Sequence, residues 1–141
     1  MESILKLIAS FLAVVVVLTL HEFAHAFVAY KCGDPTPKWN RRLTLNPARH
    51  FDLMGLIFFT LVGFGWAKPV PVNPDNFKKY RLGSALTASA GVIVNYLSAF
   101  LFCPLYILAS YYFADSQTYF SYVLYVFTYC LFAYSLSFCV F

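Results

Sequence analysis

Charge is what this chain has least of. Only 11% of its 141 residues are Asp, Glu, Lys or Arg, while 61% are hydrophobic and the mean hydropathy is +0.69. An ordinary soluble domain carries about 25% charged and about 45–50% apolar residues. A water-soluble globule of the usual kind is therefore excluded, and one membrane-embedded domain is expected. There is no cysteine framework either. Cys32, Cys103, Cys130 and Cys139 show no C-x-x-C spacing and three of them lie in apolar runs, which argues against disulfides and against cysteine-bound zinc. No internal repeat or low-complexity tract is evident. The first apolar run lacks the small-residue cleavage site of a signal peptide and is preceded by the acidic Glu2. The net charge of +4 does not point to nucleic acid, because the basic residues fall between apolar runs, where loop positives set membrane orientation.

What the chain does have is long hydrophobic runs. Residues 4–30 predict a first transmembrane helix, longer than the roughly 30 Å hydrocarbon core requires and ended by Gly33, Pro35 and Pro37. Residues 31–53 form a polar, basic loop with a short strand-like alternation in "RRLTLNP". The run at 54–67 is apolar but, at about 14 residues, too short to cross upright. With Gly63 and Gly65 among β-branched and aromatic residues it predicts a re-entrant, β-hairpin-like segment. A proline-rich extended loop follows at 68–81. Residues 82–113 predict a second transmembrane helix, rich in Gly, Ala and Ser in its first half and kinked at Pro104. After a polar turn at 114–117, residues 118–141 predict a third. The expected class is thus an all-α integral membrane protein of about three transmembrane helices plus the re-entrant segment. Nine of the ten Lys and Arg lie in 31–81, which places that loop in the cytoplasm and the N-terminus outside.

Against this background, ionisable residues inside the first helix stand out, because each costs about 2.5–3.5 kcal/mol to insert near the bilayer centre. His21 and His25 are spaced i,i+4, so their imidazoles share one face and can grip one metal ion. Glu22 points about 100° round the helix, within reach of a metal-bound water without being a ligand. The pattern is H-E-x-x-H, the zinc-protease helix; the bland alternative is a chance match. Asn95, in the middle of the second transmembrane helix, either bridges helices or holds a substrate backbone. His50 qualifies as a third ligand by residue type, but His50 and Asp52 read more simply as interfacial loop residues, and the Lys and Arg cluster as a topology determinant.

These stretches resemble the site-2 protease family of intramembrane zinc metalloproteases, in its compact bacterial branch without a PDZ domain. "LHEFAHAFVAYKCGDPT", "RRLTLNPARHFDLMG", "GFGWAKPVPVNPDNF" and "ASAGVIVNYLSA" carry the resemblance over roughly residues 15–100, with Val92 standing where the family usually has proline. The third transmembrane helix matches by position and hydrophobicity only. The resemblance implies zinc on His21 and His25, Glu22 as general base, and Asn95 by the active site. It also implies a membrane-inserted hairpin at 54–67 that pairs with an unwound substrate, a transmembrane segment of another membrane protein. The family's third ligand is an aspartate in a D-G motif after the third helix, and this sequence contains no D-G. The expectation is therefore a chain lacking its C-terminal part, inactive by itself. Two functions fit: an intramembrane endopeptidase in a bacterial inner membrane, and a non-catalytic relative that binds a partner or a metal. Glu22 favours the first, since a pure binding site needs only the histidines.

Overall fold

The computed structural model describes residues 2–52, 54, 55, 58, 67–113 and 118–139. Among these residues the architecture is helical and contains no strand. Helix α1 spans Glu2–Cys32, α2 Thr36–Trp39, α3 Tyr80–Phe113 and α4 Tyr119–Ser137, with single 3-10 turns at Pro47–Arg49 and Pro74–Asn76. Three of these, α1, α3 and α4, are long and apolar enough to cross a membrane. At 1.5 Å per residue, the 31 residues of α1 rise roughly 46 Å and the 19 of α4 roughly 28 Å. Three long apolar helices are thus found where the sequence led one to expect them, and α3 runs on through Pro104.

One local expectation is corrected and another finds no support. The alternation in "RRLTLNP" forms no strand, because residues 41–46 are turn, bend or irregular. The hairpin at 54–67 finds no support: Met54, Gly55 and Phe58 are helical, and residues 56, 57 and 59–66 lie outside the described residues, as do residues 1, 53, 114–117, 140 and 141. Asp52 explains the helical start. Its Oδ1 accepts from the backbone N–H groups of Met54 and Gly55, each at 3.1 Å, and so satisfies two donors that a first helical turn leaves open. An antiparallel bridge joins Phe51 to Ala67, with Lys68 N–H donating to the His50 carbonyl at 2.9 Å. The two ends of the run therefore meet.

The chain divides into two units, 18–94 and 1–17 with 95–141. In the second of these, Ala9, Ala13 and Val17 recur every fourth residue of α1 and are fully buried, while Ile4, Leu7, Ile8 and Leu12 are exposed. Small side chains inside and large apolar ones outside is the pattern for packing in lipid. Ser10 and Tyr134 share a 2.5 Å hydrogen bond between α1 and α4, and Tyr106 of α3 stacks on Phe132 of α4 with ring centroids 6.0 Å apart.

In the 18–94 unit the chain reverses direction at Gly33. Its φ of +116° is open only to glycine at low cost. It lets Asp34 N–H reach the Ala29 carbonyl (3.0 Å) and Gly33 N–H the Tyr30 carbonyl (3.2 Å), closing α1 in a Schellman motif. Asp34 thereby enters the interior. Its carboxylate accepts from Thr36 N–H (3.0 Å), the Thr36 hydroxyl (2.5 Å), Asn73 N–H (2.8 Å) and the Asn76 amide (2.8 Å). Lys78 N–H adds a bond to the Cys32 carbonyl at 3.0 Å. The 68–81 loop is thus tied to the end of α1, and Phe77 is delivered to the first turns of α3. There a Cβ at Gly83 would lie 2.6 Å from the Phe77 ring, so only glycine allows that contact.

Candidate metal centre

His21 and His25 lie on one face of α1, one turn apart, as 3.6 residues per turn requires. Their Nε2 atoms are 3.1 Å apart and their rings meet edge to face, with centroids 4.8 Å apart at 71°. Two nitrogens bound at about 2.0–2.1 Å to one tetrahedral zinc lie roughly 3.4 Å from each other, so the pair fits such an ion with almost no rearrangement. The other ring nitrogen of His25, Nδ1, is 2.6 Å from the Thr87 carbonyl. A carbonyl only accepts, so Nδ1 carries the proton and, in neutral imidazole, the Nε2 lone pair is left to face His21. The same face of α3 presents Gly91, where a Cβ would fall 2.4 Å from His21 Cε1 and Nε2 and 2.6 Å from His25 Nε2.

Glu22 sits beside this pair and faces the loops. The backbone N–H of Val70 donates to its carboxylate, and Arg42 acts on it electrostatically. Arg42 is only 5% exposed. Its guanidinium donates to the carbonyls of Lys68 and Pro69, each at 3.1 Å, and to that of Arg49. Burial pushes the Arg42 guanidinium down from its ordinary pKa, and the Glu22 charge opposes this. One side chain thus gathers residues 49 and 68–70 around the glutamate. The turn before it arranges this: Arg41 adopts φ 55°, so that Arg42 N–H bonds the Pro37 carbonyl (2.8 Å) and closes α2, turning Arg42 inward while Arg41 stays exposed.

His50 is not an exposed interfacial residue. It is fully buried, and its Nε2–H donates to the Thr44 carbonyl at 2.7 Å. Burial, opposed by that bond and assisted by Arg42, holds its imidazole below the ordinary pKa. Neither His50 nor Asp52 joins the histidine pair, and among the described residues no group of three metal-ligating side chains occurs. Asn95 is fully buried as well, and it belongs to the 95–141 unit, not to the unit that holds the histidines. The sequence points to His21, Glu22 and His25, and the resemblance includes Gly91 as the glycine before Val92, but neither assigns a place beside the histidines to Thr87, Gly91, Val70 or Arg42. Arg42 carries a signal as one of two adjacent arginines, which reads as topology.

Comparison with known proteins agrees with this geometry. Over 90 residues, 64% of this chain, it is 50% identical to a Bacillus subtilis (strain 168) protein named "Putative zinc metalloprotease YwhC". The aligned part covers 41% of that relative, so the chain spans about two fifths of its length. No family model matches the chain, and no solved structure matches it.

Proposed function

We propose that this chain carries the catalytic helix of an intramembrane zinc metalloendopeptidase of the site-2 protease kind, which cleaves transmembrane segments of other membrane proteins. The observation that carries the reading is the convergence of the two Nε2 atoms at 3.1 Å on a membrane-length helix, with the His25 tautomer set by Thr87. A bound zinc ion supplies a Lewis acid and lowers the pKa of water at the site. His21 and His25 hold it. Glu22 takes the proton of the attacking water as general base. Val70 N–H holds that carboxylate in place. Among the described residues no third ligand joins the pair, and on the resemblance that position belongs to an aspartate of an Asp-Gly motif. Asn95 holds substrate backbone near the site on this reading.

A bacterial inner-membrane setting, with residues 31–81 cytoplasmic, suits the basic loops. The meeting of Phe51 and Ala67 supports one part of it, that the loops on either side of the 54–67 run lie on the same side. Paired residues lie about 5 Å apart, whereas a run that crossed the bilayer would separate its ends by roughly 30 Å. The test is metal content. The purified protein should carry zinc, and His21→Ala or His25→Ala should lose most of it. Equal zinc in wild type and both variants would remove the site.

A further inference from the structure

Zinc-binding histidines ordinarily depend on a partner for the nitrogen that does not touch the metal, and on space for the ion. Both come here from one helix that contributes no ligand. Thr87, Gly91 and the intervening Ala90 are buried on one face of α3. At Thr87 the contact is the carbonyl oxygen, 2.6 Å from His25 Nδ1. This oxygen would otherwise take part only in the helix ladder, so the threonine side chain is not what the site uses. At Gly91, one turn on, the contact is the missing side chain. A Cβ there would stand 2.4 Å from His21 Nε2 and 2.6 Å from His25 Nε2, the two atoms that face each other across 3.1 Å. Real Cβ atoms essentially never approach within 3.0 Å. The atoms it would strike are ring tips on two-torsion side chains, which can swing aside. The helices need not part, and what is lost is the convergence of the nitrogens.

We infer that α3 completes the metal centre as a cradle, its Thr87 carbonyl fixing the tautomer of His25 and its side-chain-free Gly91 leaving the volume where both Nε2 atoms meet one ion. This rests on the zinc reading above. Thr87 and Gly91 are positioning residues and touch no substrate. Glycine within a helix is ordinarily inferior to alanine. Gly91→Ala should therefore leave the helix content intact while it weakens the metal.

The experiment uses the whole 141-residue chain in detergent, with zinc affinity measured by competition against a chromophoric chelator and helix content by circular dichroism. Wild type should bind zinc, and Gly91→Ala should keep its helix content and bind at least about tenfold more weakly, the range for loss of support around a ligand. Zinc affinity within twofold of wild type in folded Gly91→Ala would overturn the cradle while leaving the zinc reading intact. Wild type without zinc would overturn both. Should Gly91→Ala fail to fold, the triple variant Gly91→Ala/His21→Ala/His25→Ala decides, because the new Cβ would strike both rings. Recovery of the fold shows that the imidazoles are what the new Cβ strikes, and continued failure overturns the cradle. Nitrogen-15 NMR of the zinc-free imidazoles should find the proton of neutral His25 on Nδ1, and a proton on Nε2 instead would contradict the role of Thr87.

Discussion

The two units differ in where their polar side chains find partners. In 1–17 with 95–141 the Ser10–Tyr134 bond joins two helices, while Thr128 donates to the carbonyls of Leu124 and Tyr125, Ser137 to that of Ala133 and Ser110 to that of Ile107, each within its own turn. In 18–94 Ser89 also bonds its own turn, but the charged Asp34 and Arg42 reach far along the sequence. Asp34 accepts from Asn73 and Asn76, 39 and 42 residues away, and Arg42 donates to Lys68 and Pro69, 26 and 27 away. Self-bonded hydroxyls leave a helix free to pack by shape in lipid. Long-range ionic hubs fix loops in one place, and a buried charge with several partners is costly to disturb. Charge with long-range partners marks where the molecule requires fixed geometry, and through Arg42 it reaches Glu22.

If that contrast is real, substitutions should rank accordingly. Glu22→Gln should have the largest effect on chemistry. On the reading proposed above, it should retain zinc and lower the rate of cleavage of a membrane substrate by at least about 10²-fold, the usual contribution of a general base. Cleavage at the wild-type rate would remove Glu22 from the mechanism and favour a metal- or partner-binding module. Next come the hubs. Asp34→Ala and Arg42→Ala should each destabilise by about 3 kcal/mol, because hydrogen bonds to charged groups contribute about 1.5–3 kcal/mol each and their former partners stay buried. Arg42→Lys should recover little of this, since an ammonium cannot present the planar fork that spans several carbonyls. Denaturation in mixed micelles measures both.

Acid should act on the same unit. Burial raises the Asp34 carboxyl, but the bonds from Thr36, Asn76 and Asn73 outweigh it, and the net shift is downward. A folded-state pKa below the ordinary value stabilises the fold above that value, near 3.8, and the contribution is lost as pH falls through the folded one. His50 is also depressed, chiefly by burial. Its contribution is complete above the ordinary value of 6.5 and declines as pH falls below it. Stability should therefore begin to drop below pH 6.5, and His50→Gln should flatten that first decline. An unchanged profile in the variant would assign it elsewhere.

The smallest effects belong to the self-bonded helices and to one strained turn. Thr128→Val should change stability by about 0.6 kcal/mol or less, the average for polar contacts in membranes. Arg41→Gly should stabilise by up to about 1 kcal/mol, by relieving a left-handed backbone at a residue with a side chain. A loss of several kcal/mol from Thr128→Val would erase the distinction between the units.

How much of this was legible beforehand follows from the same contrast. The three long helices were, because hydropathy is a local property and lipid leaves them little alternative. The H-E-x-x-H face was, because i,i+4 spacing acts within one helix. The hubs were not: nothing near Asp34 or Arg42 in sequence says that its partners lie tens of residues ahead. The cradle was not, since Gly91 matters only once α3 lies against α1. The hairpin expected at 54–67 rested on composition, whereas the bonds that the Asp52 side chain makes to the N–H groups of the helical Met54 and Gly55 are contacts that composition does not report.

The central claim is that His21 and His25 hold one zinc ion, and zinc-edge X-ray absorption on the purified protein tests it most directly. The account predicts imidazole nitrogens at about 2.0–2.1 Å, two per zinc, and loss of both metal and signal in His21→Ala/His25→Ala. Sulfur scattering at about 2.3 Å, or an unchanged spectrum in the double variant, would contradict it.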